Sequence, residues 1–285
     1  MNEYLIFLFI GGILALSLFI ALIASRFGVP SLVAFLGIGM ILGSDGIGQI
    51  QFDNVELAQT IAVIGLAAIL FEGGLSTSWR RLREVALPAL SLSTIGVVIT
   101  ALLTGIAAYK LFDLPWLSAL LLGAVVSSTD VAAVFATLRF TKIKRRLART
   151  LEAESAGNDP MAIALTVGLI AWIQHPATYG IDNLIILLAQ QLILGLLVGV
   201  VLGAAAMYLF ARLPHSIGSF APVASLAAGA LAFGIAGLVG GSGFLAIYLV
   251  GLAIGSTPSR YRSQLTAFHE GLAFLAQVAM FLVLG

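Results

Sequence analysis

Glu154-Ser155-Ala156-Gly157-Asn158-Asp159-Pro160 stands in a segment, 148–174, whose second half is almost wholly apolar. Thirty residues earlier Ser127-Ser128-Thr129-Asp130 lies in a similar run of Ala, Val, Leu and Gly. A charged side chain at the centre of a bilayer costs at least about 2.5–3.5 kcal/mol on insertion scales, so carboxylates placed this way read as functional. The rest of the chain supplies the bilayer. Of 285 residues 60% are hydrophobic and 9% charged, against about 25% charged in soluble domains. The fold class is therefore all-α, a polytopic helical membrane protein. The absence of cysteine excludes disulfides, thiol catalysis and Cys-based metal sites. A net charge of +1 gives no reason to expect nucleic acid as a partner.

A membrane helix needs about 20 apolar residues. The apolar runs predict ten transmembrane helices over 4–25, 30–44, 57–76, 86–108, 115–138, 148–174, 184–211, 219–239, 243–256 and 264–285. Alternating the connections between two sides puts Arg26, Arg80, Arg81, Arg83, Arg139, Lys142, Lys144, Arg145, Arg146, Arg149, Arg212, Arg260 and Arg262 on one face. Lys110 alone falls on the other, beside Glu3, Asp45, Asp53, Glu56, Asp113 and Asp182. Basic loops stay in the cytoplasm, so the chain is expected to be a multi-pass protein of the cell (inner) membrane with its N-terminus outside.

Depth and spacing then organise the polar residues. Asp159 lies about eleven residues into the sixth span, roughly 16 Å at 1.5 Å per residue and so near the bilayer centre. Ser155 and Asp159 share one helical face, and Glu154 and Asn158 share the next. Pro160 has no N–H to give, which frees the carbonyl of Ala156. Four polar residues in a row weaken the fifth span, and transporters hold ions where membrane helices are unwound at mid-depth. Asp130 would sit at a half-helix end, with the Thr129 carbonyl facing a cation. Glu72, before Gly73-Gly74, reads either as a group lining the inner approach to the site or as an interfacial acid. Withdrawn from water, a carboxylate holds a proton more readily, which lets H+ and a metal cation compete for one group.

These residues resemble the monovalent cation/proton antiporter family, in particular its bacterial NhaP-like branch. Ser127-Ser128-Thr129-Asp130 and Glu154 to Pro160 carry the resemblance, supported by Phe71-Glu72-Gly73-Gly74-Leu75 and by Phe274-Leu275-Ala276-Gln277 through Gly285. It implies an inverted-repeat antiporter fold with a broken fifth helix, and a homodimer. In that fold 1–108 holds the first four spans, scaffold and dimer helices plus the start of the core. Residues 109–174 form the ion-binding core, and 175–285 a linker helix and the start of a second repeat. It also implies that the cation (Na+ or K+) and the proton share Asp159, with Asn158, Ser155, Thr129, Asp130 and Glu72 around it. Asp159, Ser155 and Thr129 would be the ligands of the alkali cation, and Glu154 a structural buried acid. No cofactor is expected beyond the transported Na+ or K+ and H+. Asn158, where other members carry Asp, implies electroneutral exchange by alternating access. Relatives pair the position of Glu154 with an Arg absent from the spans here, which implies a chain continuing beyond Gly285 and a Glu154 without a buried partner before it.

Three other readings compete: a cation channel, a different secondary transporter, and an intramembrane protease. Only the last has a motif, Gly240-Gly241-Ser242-Gly243 with His269 downstream, and the expected topology puts the two on opposite faces.

Overall fold

In the computed structural model, residues 3–27, 30–44, 46–129, 144–212, 220–258 and 261–285 are described. Asp130 lies outside them, as does the expected second half of the fifth span. The described residues form helices and connecting turns: α1 (Glu3–Phe27), α2 (Ser31–Leu42), α3 (Val55–Ser76), a single turn α4 (Trp79–Leu82), α5 (Ala86–Phe112), α6 (Trp116–Val126), α7 (Arg145–Gln174), α8 (Ile181–Arg212), α9 (Ala221–Leu238), α10 (Gly243–Ser256) and α11 (Arg262–Leu284). Each expected span thus holds an apolar helix. Seven of these helices are long and apolar enough to cross a membrane, while α2, α6 and α10 are shorter.

Many large apolar side chains face outward, among them Phe7, Phe19, Leu103, Ile186 and Leu231. Water would not tolerate that surface, whereas a helix that satisfies its own backbone can show it to lipid.

The helices fall into two compact units. One gathers the described residues up to Ile69 and those from Glu270 onward, and the other the described residues between them. In the first, Phe35 and Ile38 of α2 pack with Val278, Phe274 and Phe281 of α11 and Ile13 and Ile20 of α1. The second holds the polar residues.

Within the second unit α5 and α6 form a tight hairpin. Asp113 closes α5 in the left-handed region at φ 51°, a conformation Asp tolerates, and Pro115 precedes the first turn of α6. A Cβ on Gly123 would overlap the Ala101 carbonyl oxygen, so only glycine lets the two backbones meet. Val97 and Ala101 of α5, Ala124 of α6, Met161, Ala162, Leu165 and Leu169 of α7 and Leu184 of α8 form the apolar core. It grips α7 immediately after Pro160. On the other flank α10 is buried along most of its length. Gly251 and Gly255 bring it against the backbone of α3 at Phe71 and Leu75.

One feature of α5 has no counterpart in the expected spans. Residues Leu92–Gly96 wind as a π-turn between two α-helical halves.

Candidate functional site

The site is built where α6 stops and α7 passes. The α6 helix ends at Val126, and Ser127 turns its hydroxyl back onto the Ala124 carbonyl (2.7 Å). Ser128 and Thr129 are not helical, and both reach α7. The α7 helix runs unbroken through Pro160, which stands within the helix without donating a bond.

Asn158 is the centre of the arrangement and has no exposed surface. Its amide nitrogen donates to Thr129 Oγ1 (2.7 Å) and to Glu154 Oε1 (2.9 Å), so both of its N–H groups are used. Its Oδ1 accepts from Ser128 Oγ at 3.2 Å. That same hydroxyl lies against Oδ1 of Asp159. Ser155, buried one turn before Asp159, donates to the Thr129 carbonyl. Five of the expected residues are therefore together: Asp159, Asn158, Ser155, Thr129 and Glu154. The two helical faces expected from the i, i+4 spacing are both present, one holding Ser155 and Asp159 and the other holding Glu154 and Asn158.

Glu154 is hydrogen-bonded within the group. It is half-buried, and its partners among the described residues are neutral donors, the Asn158 amide and the Thr129 hydroxyl (3.4 Å to each carboxylate oxygen). These hydrogen bonds offset part of its desolvation. Glu72 is not joined to the group by any described hydrogen bond. Its carboxylate accepts from Ser76 Oγ (2.6 Å) one turn on in α3.

Ser128 stands in the polar motif, and the structure adds its hydroxyl to the group, against Asn158 and Asp159. The one signal for it was its place in the polar run, since its two contacts come from residues thirty positions away. At the start of α7, Arg149 pairs with Glu84 (2.6 Å) beside α5. This is an exposed pair, of the kind worth at most about 1 kcal/mol.

The residues of the protease reading have other employment. Ser242 caps α10 by accepting from Leu245 N (3.2 Å). His269 is buried and bonds Ser225 Oγ at 2.8 Å, against the ring of Phe71.

Fold and site together define a polytopic helical membrane protein with a polar centre where one helix ends against another. The chain belongs to the sodium/hydrogen exchanger family, whose transmembrane region it matches over residues 13–285. The family expected from the Thr-Asp and Asn-Asp motifs is thus borne out. The K(+)/H(+) antiporter NhaP2 of Shewanella sp. (strain ANA-3) is 40% identical over 281 residues, covering 98% of this chain and 49% of that protein. The K(+)/H(+) antiporter NhaP of Alkalimonas amylolytica is 42% identical over 280 residues, 98% of this chain and 48% of that protein. The chain therefore spans about half the length of these curated relatives. The solved structure of the sodium proton antiporter MjNhaP1 from Methanocaldococcus jannaschii matches with a TM-score of 0.83 at 25% identity, over 100% of this chain and 70% of that one. The all-helical antiporter fold is borne out with it.

Proposed function

We propose that this chain carries the cation site of an electroneutral antiporter, a transporter and not an enzyme, which exchanges one monovalent cation for one proton by alternating access. Asp159 is the shared carboxylate. One observation carries the reading: Asp159, the Ser155 hydroxyl and the Thr129 carbonyl converge where α6 stops. Carboxylate, hydroxyl and carbonyl oxygens are the hard donors that replace the water around an alkali cation. The relatives named as K(+)/H(+) antiporters make potassium the first cation to test.

Charge counting supports one-for-one exchange. Asn158 cannot titrate, so Asp159 leaves the site with the same net charge whether it holds K+ or H+. Residues 109–174 are the ion-binding core in this reading, with Asp130 and Glu72 as further acids of the cation and proton site. The protein would work as a homodimer in the inner membrane with its N-terminus outside, as its basic loops favour.

Proteoliposomes of the full-length protein, loaded with a pH dye, test it. Potassium or sodium should collapse a proton gradient, and an imposed membrane potential should leave the rate unchanged. Asp159→Asn should abolish exchange, because Asn binds no proton. Normal exchange in that variant would overturn the assignment of Asp159, and a steady cation-dependent current would overturn the stoichiometry.

A further inference from the structure

The buried residues of α5 follow a spacing that an α-helix cannot hold. Ala89, Ser93, Val97, Ala101 and Gly105 are all buried, each four residues after the last. At 100° per residue a spacing of four drifts 40° at each step, so the stripe would turn by about 160° between Ala89 and Gly105. A π-turn absorbs one extra residue and returns about 100° of that drift. The π-turn at Leu92–Gly96 lies inside the stripe. It lets Ser93 face the same way as Val97 and Ala101, which belong to the apolar core around α7.

Ser93 meets α7 at Gly157. A Cβ on Gly157 would stand 2.9 Å from Ser93 Oγ and 3.0 Å from Ser93 Cβ, so tight that Ser93 or α7 would have to shift. Ser93 has little room to yield. It is 4% exposed, and its hydroxyl donates to the Leu90 carbonyl (3.2 Å), which also accepts from Thr94 Oγ1 (2.7 Å). Gly157 is the residue directly before Asn158 and Asp159. The opposite side of that turn is held by Ser128 and Thr129.

We infer that the π-turn of α5 is a seat for Gly157, and that the Ser93–Gly157 contact is a positioning element setting the depth at which Asn158 and Asp159 meet Ser128 and Thr129. The inference rests on Asp159 being the carrier carboxylate. Neither Ser93 nor Gly157 need touch the cation. A methyl group between them would push the carrier turn of α7 away from α5 and alter the spacing of oxygens around the ion. The added methyl group removes no atom from the apolar core that α5 and α7 share, so cation binding should change more than folding.

The test is a compensation series in the full-length protein, reading half-saturating cation concentration, maximal exchange rate and the K+ to Na+ to Li+ preference. Gly157→Ala should raise the half-saturating concentration about tenfold or more, since sub-ångström misplacement at an oriented site is costly, and should change the cation preference. Ser93→Gly in the same chain removes both atoms that meet the new methyl group. This double variant should return to within about threefold of the native value. Ser93→Val alone, bulky on the other side of the contact, should reproduce the Gly157→Ala defect, and it serves where Gly157→Ala does not fold. Native values in both single variants, or a double variant no better than Gly157→Ala, would overturn the seat. So would a fall in maximal rate alone with affinity and preference intact. If the native protein performs no exchange, the functional reading fails instead, and the two failures are distinguishable.

Discussion

At the scale of single residues, hydrogen counting explains most of the site. Ser128 has one hydroxyl proton and two acceptors within reach, Asp159 Oδ1 and Asn158 Oδ1. With Asp159 ionised the proton goes to the carboxylate, because a bond to a charged acceptor is the stronger. With Asp159 protonated, the carboxyl group becomes the donor and Ser128 turns to the amide oxygen. Ser128→Ala removes this exchange. It should weaken apparent cation affinity by about 1 kcal/mol, roughly fivefold, while Ser128→Thr, which keeps the hydroxyl, should stay near native. Cation titration of exchange in vesicles checks both, and an alanine variant with native affinity would dismiss the role. The pairings within α7 were legible in the sequence, since i, i+4 spacing alone puts Ser155 with Asp159 and Glu154 with Asn158. The contacts from Ser128 were not, because they depend on where the chain after Val126 runs against α7.

Helices are where sequence reading did best and also where it stopped. Apolar runs locate every described span, and a row of four polar residues marks where α6 ends. The π-turn was hidden because Leu92–Gly96 contains no proline or charge. Its one trace is the strict four-residue spacing of small buried residues, which shows only when burial is known. The crossing of α3 and α10 was hidden for a similar reason. The glycines were visible, but not the partner that needs them. A Cβ on Gly255 would overlap the Leu75 carbonyl oxygen, and one on Gly251 the Phe71 carbonyl oxygen. Backbone cannot retreat as a side-chain tip can, so Gly255→Ala should destabilise the protein by about 1–3 kcal/mol. Thermal unfolding of the detergent-purified protein should show a lower midpoint. An unchanged midpoint would mean the two helices separate at little cost.

The whole molecule offers a test of its orientation that few proteins allow. These 285 residues contain no cysteine, so within them each introduced thiol reports one position. Lys110→Cys should react with a membrane-impermeant maleimide in intact cells, and Arg80→Cys only after permeabilisation. The reverse pattern would invert the topology. Asn158 brings a different consequence at this scale. It is fixed in place, with both amide hydrogens engaged and no exposed surface, and an amide does not ionise, so on the proposed reading the neighbour of Asp159 adds no charge in any state of the cycle. Under one-for-one exchange the ion distribution is then tied to acidity alone. One pH unit across the membrane balances about a tenfold potassium ratio, near 1.4 kcal/mol, whatever the voltage. If the proposed exchange runs with potassium, a cell whose electrical potential had collapsed would keep this route for shedding or gathering it for as long as its two sides differed in pH.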